Sequence, residues 1–576
     1  MTWATESRPW QSGRWTLELR GDEFADIAFA GRPVLRSVRA VIRDRNWDTA
    51  PLVVDRVRQS DATLMLHVRS EGLGSSFRGV VRVVARPSDL DVSADLESVD
   101  GFATNRSGLI VLHPPRLAGE SLTVTHSTGA TEATRFPSEI SPHQPVCDIA
   151  GLSWAHGGLE VSLAFEGDVF EMEDQRNWSD ASYKTYSRPL DLPFPYDIAA
   201  GERVRQTVRV RVRELAATLP PAAPDLIELE VGGPLPEFGL GAATAPDPAP
   251  DGPSGAAALL VELDLRTPNW RAALSRAERS GVPLDVRVIA SPGAPFDELA
   301  GALAALGGSQ VLRIGVFEAD LHVTDAAVLG ALRDALEDAR LRVPIIAGSR
   351  AHFTELNREW AIIPRDVDGI GFSTTPLFHS TGTEQLVESV AVQRTIALQA
   401  VELADGLPVH VGPLALRARF NDVATTPQPM PSRNDLGDGY GAAFTGADDP
   451  RQSAPELAAW TIASAAALAV PGVASIAFFE EWGPRGLRSS AGEPFPVAAA
   501  FAALRELDGP NARLLWGSSP DGLAWAVGAR SGSGDVVLVA NLDDRAKDLT
   551  VVLDGASTAV ALEPLAFIRL ALPSRR

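Results

Sequence analysis

The stretch ALLVELDLRTPNWRAALSRAERSGVPLDVRVIA, residues 258–290, decides the fold class of this 576-residue chain. Its two apolar ends are short runs typical of buried strands, and the Ala- and Leu-rich segment between them has the composition of a helix. A strand, a helix and a second strand in this order form the unit of a parallel sheet covered by helices. The same alternation continues on both sides of this stretch.

Eight apolar runs in this part of the chain are predicted to be strands, and helical segments fit between most of them. They are residues 235–242, 258–265, 283–290, 310–317, 343–348, 369–375, 408–414 and 473–479. The first run is an exception, because the segment after it, TAPDPAPDGPSG, is rich in proline and glycine and cannot form a helix. Eight strands with their helices predict a (β/α)8 TIM barrel that lacks its first helix.

The regions on either side of the barrel show a different pattern. Residues 12–215 contain alternating runs such as WTLELRG and VRQTVRVRVREL, which favour antiparallel strands with one buried face. Alternation returns after residue 511, and AATLPPAAPD at 216–225 suits a connection between domains. We therefore predict an N-terminal β-sandwich-like domain at 1–220, a barrel domain at 226–510 and a small C-terminal antiparallel β domain at 511–576.

Composition excludes several classes of partner. The net charge of −22 disfavours nucleic acids and anionic membranes, which attract basic surfaces. We see no secretory signal and no apolar run of about 18 residues, so we expect a cytoplasmic protein without a membrane partner. The single cysteine, Cys147, is predicted to be a buried, inert thiol. Whether copies of the chain form a homo-oligomer is left open.

Reacting groups in barrel enzymes lie at the C-terminal ends of the strands and in the loops beyond them. The candidates there are Glu355, Asn357 and Arg358 after the fifth strand, His379 after the sixth, Arg419 and Asn421 after the seventh, and Glu480, Glu481, Trp482 and Arg485 after the eighth. We predict Glu355, Glu480 and His379 as catalytic residues and the others as substrate-binding residues. No HxH or HExxH motif and no Gly-rich phosphate loop occurs, so we expect neither a metal nor a cofactor.

Each candidate role has an alternative. Two carboxylates can divide acid and base roles when their surroundings separate their pKa values, which favours Glu355 and Glu480. Only one of Glu480 and Glu481 can point into the barrel mouth, since neighbouring side chains on a strand face opposite ways. His379 could be a general base or a structural residue. Arg419 could stabilise an oxyanion or bind a carboxylate product, or it could form a salt bridge that holds the long loop 415–452.

The segment 170–196 of the β domain, FEMEDQRNWSDASYKTYSRPLDLPFPY, combines acidic, basic, amide and aromatic residues where a simple strand would alternate. One interpretation is a loop that locks the sandwich against the barrel. In the other, part of the segment reaches the active site. On this second interpretation Arg176 and Trp178 are predicted to bind substrate.

At these residues the chain resembles the D-apionate lactonases. The motifs that carry the resemblance are RDRNW (43–47), FPSEISPHQP (136–145), EDQRNWSDASYKTYSRPL (173–190), FTELNR (353–358), PLFHS (376–380), ARFN (418–421), DPRQ (449–452) and FFEEWGPRG (478–486). The resemblance covers nearly the whole chain. It implies an N-terminal β domain, a TIM barrel and a small C-terminal β domain, and it implies hydrolysis of D-apionolactone to D-apionate in bacterial apiose catabolism.

Two other functions stay open. Glu355 and Glu480 lie three strands apart, as do the catalytic glutamates of a large clan of barrel glycosidases, so a retaining glycoside hydrolase is the alternative. A separation of about 5–5.5 Å between the two carboxyl groups would favour it. The third hypothesis is a carbohydrate-binding protein on an inactive barrel. As a lactonase or as a glycoside hydrolase, the protein would be a hydrolase that acts on a small sugar-derived molecule.

Overall fold

The computed structural model describes residues 3, 5–215, 225–252, 255–293, 296–532 and 534–572. The predicted connection at 216–225 lies outside the described residues, except for Asp225. A β-rich region, a closed barrel and a second β-rich region follow one another along the chain.

The N-terminal region contains eighteen strands. They are β1 (Arg8–Ser12), β2 (Trp15–Arg20), β3 (Glu23–Phe29), β4 (Arg32–Arg43), β5 (Leu52–Gln59), β6 (Thr63–Gly72), β7 (Ser75–Ala85), β8 (Asp89–Ser98), β9 (Phe102–Thr104), β10 (Arg106–His113), β11 (Ser121–His126), β12 (Thr131–Arg135), β13 (Val146–His156), β14 (Leu159–Glu166), β15 (Phe170–Asp174), β16 (Tyr183–Ser187), β17 (Tyr196–Ile198) and β18 (Arg203–Glu214). Their main path of pairing runs β1-β2-β3-β4-β10-β16-β15-β13-β14-β18-β8-β7-β6-β5.

This long sheet folds over a single core. Side chains from both ends of the path, such as Phe24 of β3 and Val83 of β7, belong to one buried cluster. The indole of Trp15 on β2 donates to the carbonyl of Arg86 at 3.0 Å, which links the strands at one end to the turn before β8. Along β8 every second side chain is buried, as the alternating sequence predicts. The prediction of a sandwich-like N-terminal domain is confirmed.

Cys147 corrects one prediction about this domain. We expected a buried thiol, but Cys147 is exposed. Its neighbour Val146 takes the buried face of β13, so the next side chain points outward. Partial burial and the nearby Glu171 raise the pKa of the thiol, which disfavours the reactive thiolate.

The middle region forms a closed barrel of eight strands in chain order, as the sequence predicts. The strands are β20 (Glu237–Gly241), β21 (Leu259–Asp264), β22 (Leu284–Ala290), β23 (Val311–Glu318), β24 (Ile345–Gly348), β25 (Gly369–Thr374), β26 (Val409–Leu414) and β27 (Val473–Glu480). The helices are α1 (Trp270–Glu278), α2 (Phe296–Ala305), α3 (Ala326–Asp338), α4 (Phe353–Arg358), α5 (Thr383–Ala404), α6 (Leu457–Leu468) and α7 (Val497–Arg505). In the described part of 242–258, between β20 and β21, the chain forms no helix, which confirms the predicted loss of the first helix.

The C-terminal region forms a seven-stranded sheet in the order β32-β31-β19-β28-β29-β30-β33. Its strands are β19 (Leu226–Pro234), β28 (Arg513–Gly517), β29 (Ala524–Ser531), β30 (Gly534–Asn541), β31 (Lys547–Leu553), β32 (Ala556–Leu562) and β33 (Phe567–Leu572). One of these strands, β19, precedes the barrel in sequence and pairs in parallel with β31. The domain limits drawn from the sequence stay a prediction.

The C-terminal sheet packs on the barrel. Trp525, Val527 and Leu538 of this sheet belong to the same buried cluster as the barrel strands and helices. Across the described residues, the structure contains no helix that is long and apolar enough to span a membrane.

Candidate active site

A cavity of about 640 Å³ opens at the C-terminal ends of the barrel strands. Its walls come from β20, β21 and β27 and from the loops that follow β23, β24 and β26. The charged and imidazole side chains that line it are Glu262, Asp264, Arg266, Asp320, His322, Arg350, Arg419, Asp422, Glu480 and Arg485. The volume lies within the range of roughly 300–1,000 Å³ typical of sites for small molecules.

Glu480, the last residue of β27, lines this cavity with a fixed carboxylate. It accepts hydrogen bonds from the Thr244 amide at 3.0 Å, the Thr244 hydroxyl at 2.7 Å and Arg485 Nε at 2.9 Å. Thr244 lies in the segment without a helix, so the loss of the first helix places a hydroxyl and an amide beside the carboxylate. A carboxylate can accept about four hydrogen bonds, so one position remains for water or substrate.

The neighbouring Glu481 faces away from the cavity. It lines a different pocket together with Arg488 and Phe501 of α7. The structure therefore separates the two alternatives on this strand, with Glu480 inward and Glu481 outward. Trp482 is also outside the cavity lining, because its buried ring packs with Ala243 under the Arg276 guanidinium, 5.1 Å from the ring centre.

Two guanidinium groups in the cavity share one carboxylate. Arg419 forms an ion pair with Glu262, and Arg350 Nε lies 3.5 Å from the same carboxylate. Burial alone would raise the pKa of Glu262, but Arg419 and Arg350 lower it to about 2. Within this group of three side chains the charge is positive, although the cavity lining as a whole contains more carboxyl groups than guanidinium groups. Such a local pair of guanidinium groups can receive an oxyanion or a carboxylate. Arg419 also helps to hold its loop, since Nη2 donates to the Arg350 carbonyl at 2.6 Å, and its role towards an oxyanion or a carboxylate product stays a prediction.

Glu355 does not pair with Glu480; its carboxyl group contacts Asp422 instead. The two carboxyl groups lie beside each other, and both side chains are partly buried. Burial and the charge of Asp422 raise the pKa of Glu355 well above its usual range, and burial raises the pKa of Asp422 to about 6. A carboxyl pair of this kind favours keeping a proton between its members, because two adjacent negative charges repel each other. Only Asp422 lines the cavity, and Glu355 lies behind it.

His379 lies at the junction between the N-terminal domain and the barrel. Its Nδ1 is 2.7 Å from the Asp180 carboxylate, and its ring meets the Trp178 ring edge to face at 5.7 Å. Burial lowers the pKa of His379, although Asp180 acts in the opposite direction. This environment suits a neutral imidazole that joins two domains.

Two other predicted residues of this region, Asn357 and Arg358, also connect the domains, whereas Arg176 bonds within the N-terminal domain. Asn357 donates to Asn177 Oδ1 at 2.9 Å and to a main-chain carbonyl at 3.0 Å, and Arg358 Nε donates to the Pro142 carbonyl at 2.8 Å. Arg176 binds Asp174 and three carbonyls of the 137–139 loop. Among the described residues that line the cavity, none comes from 170–196, so the segment has the position of a lock between sandwich and barrel.

Four of the twelve predicted site residues line the cavity directly: Arg419, Asn421, Glu480 and Arg485. Sequence reasoning missed Glu262, His322, Arg350 and Asp422. Three of the four carried a positional signal in the sequence. Glu262 lies between a valine and a leucine on β21, Arg350 follows β24 by two positions, and Asp422 adjoins Asn421. In the part of the chain that the structure describes, no group of three or more His, Cys, Asp or Glu residues is placed to hold a metal ion.

Comparison with known proteins identifies the family of this chain. The family description "D-apionate lactonase, N-terminal domain" matches residues 2–215, and "D-apionate lactonase, TIM barrel domain" matches residues 243–509. A protein of Brucella anthropi named D-apionate lactonase is 27% identical over 567 residues, with 90% of each chain covered.

Two solved structures are similar to this chain at a lower level. A GH30 endoxylanase from Clostridium papyrosolvens is 11% identical with a TM-score of 0.38, over 60% of this chain and 98% of that chain. A β-arabinopyranosidase is 12% identical with a TM-score of 0.28, over 98% of this chain and 96% of that chain. These scores are too low to support an argument about function. The two family matches are decisive, and the chain belongs to the D-apionate lactonase family, which makes it a lactone hydrolase.

Proposed function

We propose that the protein hydrolyses D-apionolactone, or a closely related aldonolactone, to the open-chain acid in the barrel cavity. The observation that carries this proposal is the convergence of the Glu480 carboxylate and the Arg350 and Arg419 guanidinium groups on one cavity of small-molecule size. The name of the Brucella relative supports the choice of substrate. The substrate is then a small polyhydroxylated ring.

In the proposed reaction, the Glu480 carboxylate takes a proton from a water molecule while the water oxygen attacks the lactone carbonyl carbon. The carbonyl electrons move to oxygen, and the positive charge of Arg350 and Arg419 stabilises the tetrahedral oxyanion. When this intermediate collapses, the bond from the carbonyl carbon to the ring oxygen breaks. The ring oxygen takes the proton back from Glu480, and the product is a hydroxy acid that ionises in water.

The three residues predicted as catalytic differ in how close they come to this chemistry. Glu480 lines the cavity. Glu355 lies beside Asp422, which lines the cavity, and His379 lies at the domain junction. We therefore place the base at Glu480, and the catalytic roles of Glu355 and His379 stay predictions.

The test is acid release from a panel of aldonolactones that includes D-apionolactone, corrected for spontaneous opening. We expect Glu480→Gln to lower kcat at least ~100-fold, the usual loss when a general base is removed. Glu481→Gln is the matched comparison, because this side chain belongs to the same strand end but faces another pocket, and its kcat should change only a few-fold. If no lactone opens faster than the blank and aryl glycosides are cleaved, the glycoside hydrolase alternative replaces the proposal.

A further inference from the structure

The loop after β26 forms part of the cavity wall and is hydrogen-bonded to the N-terminal domain. We call residues 421–426 of this loop the strap. The strap side chains Asn421, Asp422, Thr425 and Thr426 line the cavity, and the chain beyond them, residues 427–431, continues the same wall. The N-terminal domain meets the strap with the turn 44–48, which contains part of the RDRNW motif.

Asn46 is the centre of this contact. Its Oδ1 accepts hydrogen bonds from the Thr425 hydroxyl at 3.1 Å and the Thr426 hydroxyl at 3.0 Å. Its main-chain carbonyl accepts from Asn421 Nδ2 at 3.0 Å. The Thr425 hydroxyl has a single hydrogen, which it shares between Asn46 Oδ1 and the carbonyl of Arg45, 2.9 Å away. One side-chain oxygen thus holds two adjacent residues of the strap.

The turn that carries Asn46 is itself rigid. Asp44 Oδ1 accepts from the amides of Asn46 at 2.8 Å and Asp48 at 2.9 Å, which closes the turn from inside. Trp47 adopts a left-handed conformation with φ 68°, and its ring packs against Phe194 at 5.2 Å. Asn46 therefore offers its oxygen from a fixed position, so that the contact does not depend on ordering a flexible loop.

The strap has a second attachment, to the barrel. Asp422 lies beside the Glu355 carboxyl group of α4. A carboxyl pair of this kind holds the strap only while it keeps a proton between its members. The neutral hydrogen bonds of Asn46 have no such requirement.

We propose that Asn46 is a positioning residue for the lactone hydrolysis proposed above: it keeps the strap closed over the bound substrate. The inference rests on the proposed function of the cavity. When the closed form is only fractionally populated, apparent affinity falls by that fraction while turnover of the closed complex is unchanged. Asn46 therefore acts on KM rather than on kcat.

The first experiment compares variants of the whole protein in the lactone assay. Asn46→Ala removes the acceptor of two hydrogen bonds, and we expect KM to rise about tenfold with kcat changed less than twofold. Asn46→Asp keeps an acceptor oxygen at the same position and should restore KM to within threefold of the parent. Arg45→Ala is the matched control, because Arg45 contacts the strap only through its main-chain carbonyl.

A second experiment measures how firmly the strap is held, without an activity assay. Arg433 is exposed on the same loop, and trypsin cleavage after Arg433 reports how often the loop leaves the surface. Asn46→Ala and Thr426→Val should each speed this cleavage several-fold. The double variant should add little to either single variant, because both remove the same contact.

The outcomes separate the two proposals. If the parent protein opens no lactone but Asn46→Ala still accelerates cleavage after Arg433, the proposed function fails and the strap contact stands. If the lactonase is active and Asn46→Ala changes neither KM nor cleavage, the role of Asn46 is overturned. If Asn46→Ala lowers only kcat and yields less folded protein, Asn46 has a structural role instead.

Discussion

Asp422 and Glu355 show how burial sets the chemistry of single residues in this protein. Both folded-state pKa values are raised, chiefly by burial, and that of Asp422 is about 6. Because the ionised forms are disfavoured in the folded state, the contribution of the pair to stability is complete below about pH 4 and is lost as pH rises through 6. Asn421 was found from the sequence and Asp422 was not, since its position beside Asn421 does not show that it meets the carboxyl group of Glu355 on helix α4.

Replacing Asp422 by asparagine removes one ionisable member of the pair. We expect Asp422→Asn to raise the free energy of unfolding at pH 8 by on the order of 1 kcal/mol and to give no gain at pH 4. Urea unfolding at the two pH values measures this difference. Because Glu480 is the proposed base, most lactonase activity should remain. A well-folded Asp422→Asn protein without activity would move the role of base to Asp422.

At the scale of elements, the barrel strands enclose a buried ion cluster near their N-terminal ends. Asp285 of β22 accepts from Arg287 Nε at 2.7 Å and from Arg313 Nε of β23 at 2.6 Å. Burial opposes ionisation of Asp285, but the two arginines lower its pKa to about 2. The cluster also explains Gly371 on β25, since a Cβ atom there would lie 2.4 Å from Arg287 Nη1.

Breaking this cluster should weaken the barrel strongly. Asp285→Ala leaves two guanidinium groups buried without their shared carboxylate, and we expect a loss of about 3–5 kcal/mol in the free energy of unfolding. The exposed pair of Arg333 and Asp366 provides the comparison, and Asp366→Ala should cost less than about 1 kcal/mol. Equal effects of the two variants in urea unfolding would contradict the importance of the cluster.

At the scale of the whole molecule, the N-terminal domain and the barrel are joined by buried polar contacts. Asn357 binds Asn177 across the junction, the Ser179 and Thr374 hydroxyls lie 2.9 Å apart, and Asp180 meets His379. Such contacts are costly to break because their partners stay buried.

Asn357→Leu tests whether this junction serves stability rather than substrate binding. The variant leaves the Asn177 amide oxygen and the Ile140 carbonyl without this donor, and we expect a loss of about 2 kcal/mol in stability. The KM of the Asn357→Leu variant should stay unchanged, whereas the KM of Asn46→Ala is expected to rise. Calorimetry and the lactone assay give the two readings, and a raised KM with unchanged melting temperature would restore Asn357 as a substrate-binding residue.

The sequence by itself determined the layout of this protein: an alternating β domain, eight barrel strands, a missing first helix and polar residues at the rim where the cavity opens. These features follow from local patterns, since alternation, apolar runs and prolines act on neighbouring residues. Only the tertiary structure decided that Glu480 rather than Glu481 faces the cavity, that Glu355 pairs with Asp422, and that His379 joins two domains. Those outcomes depend on strand orientation and on the path of a long loop, which bring together residues far apart in the chain.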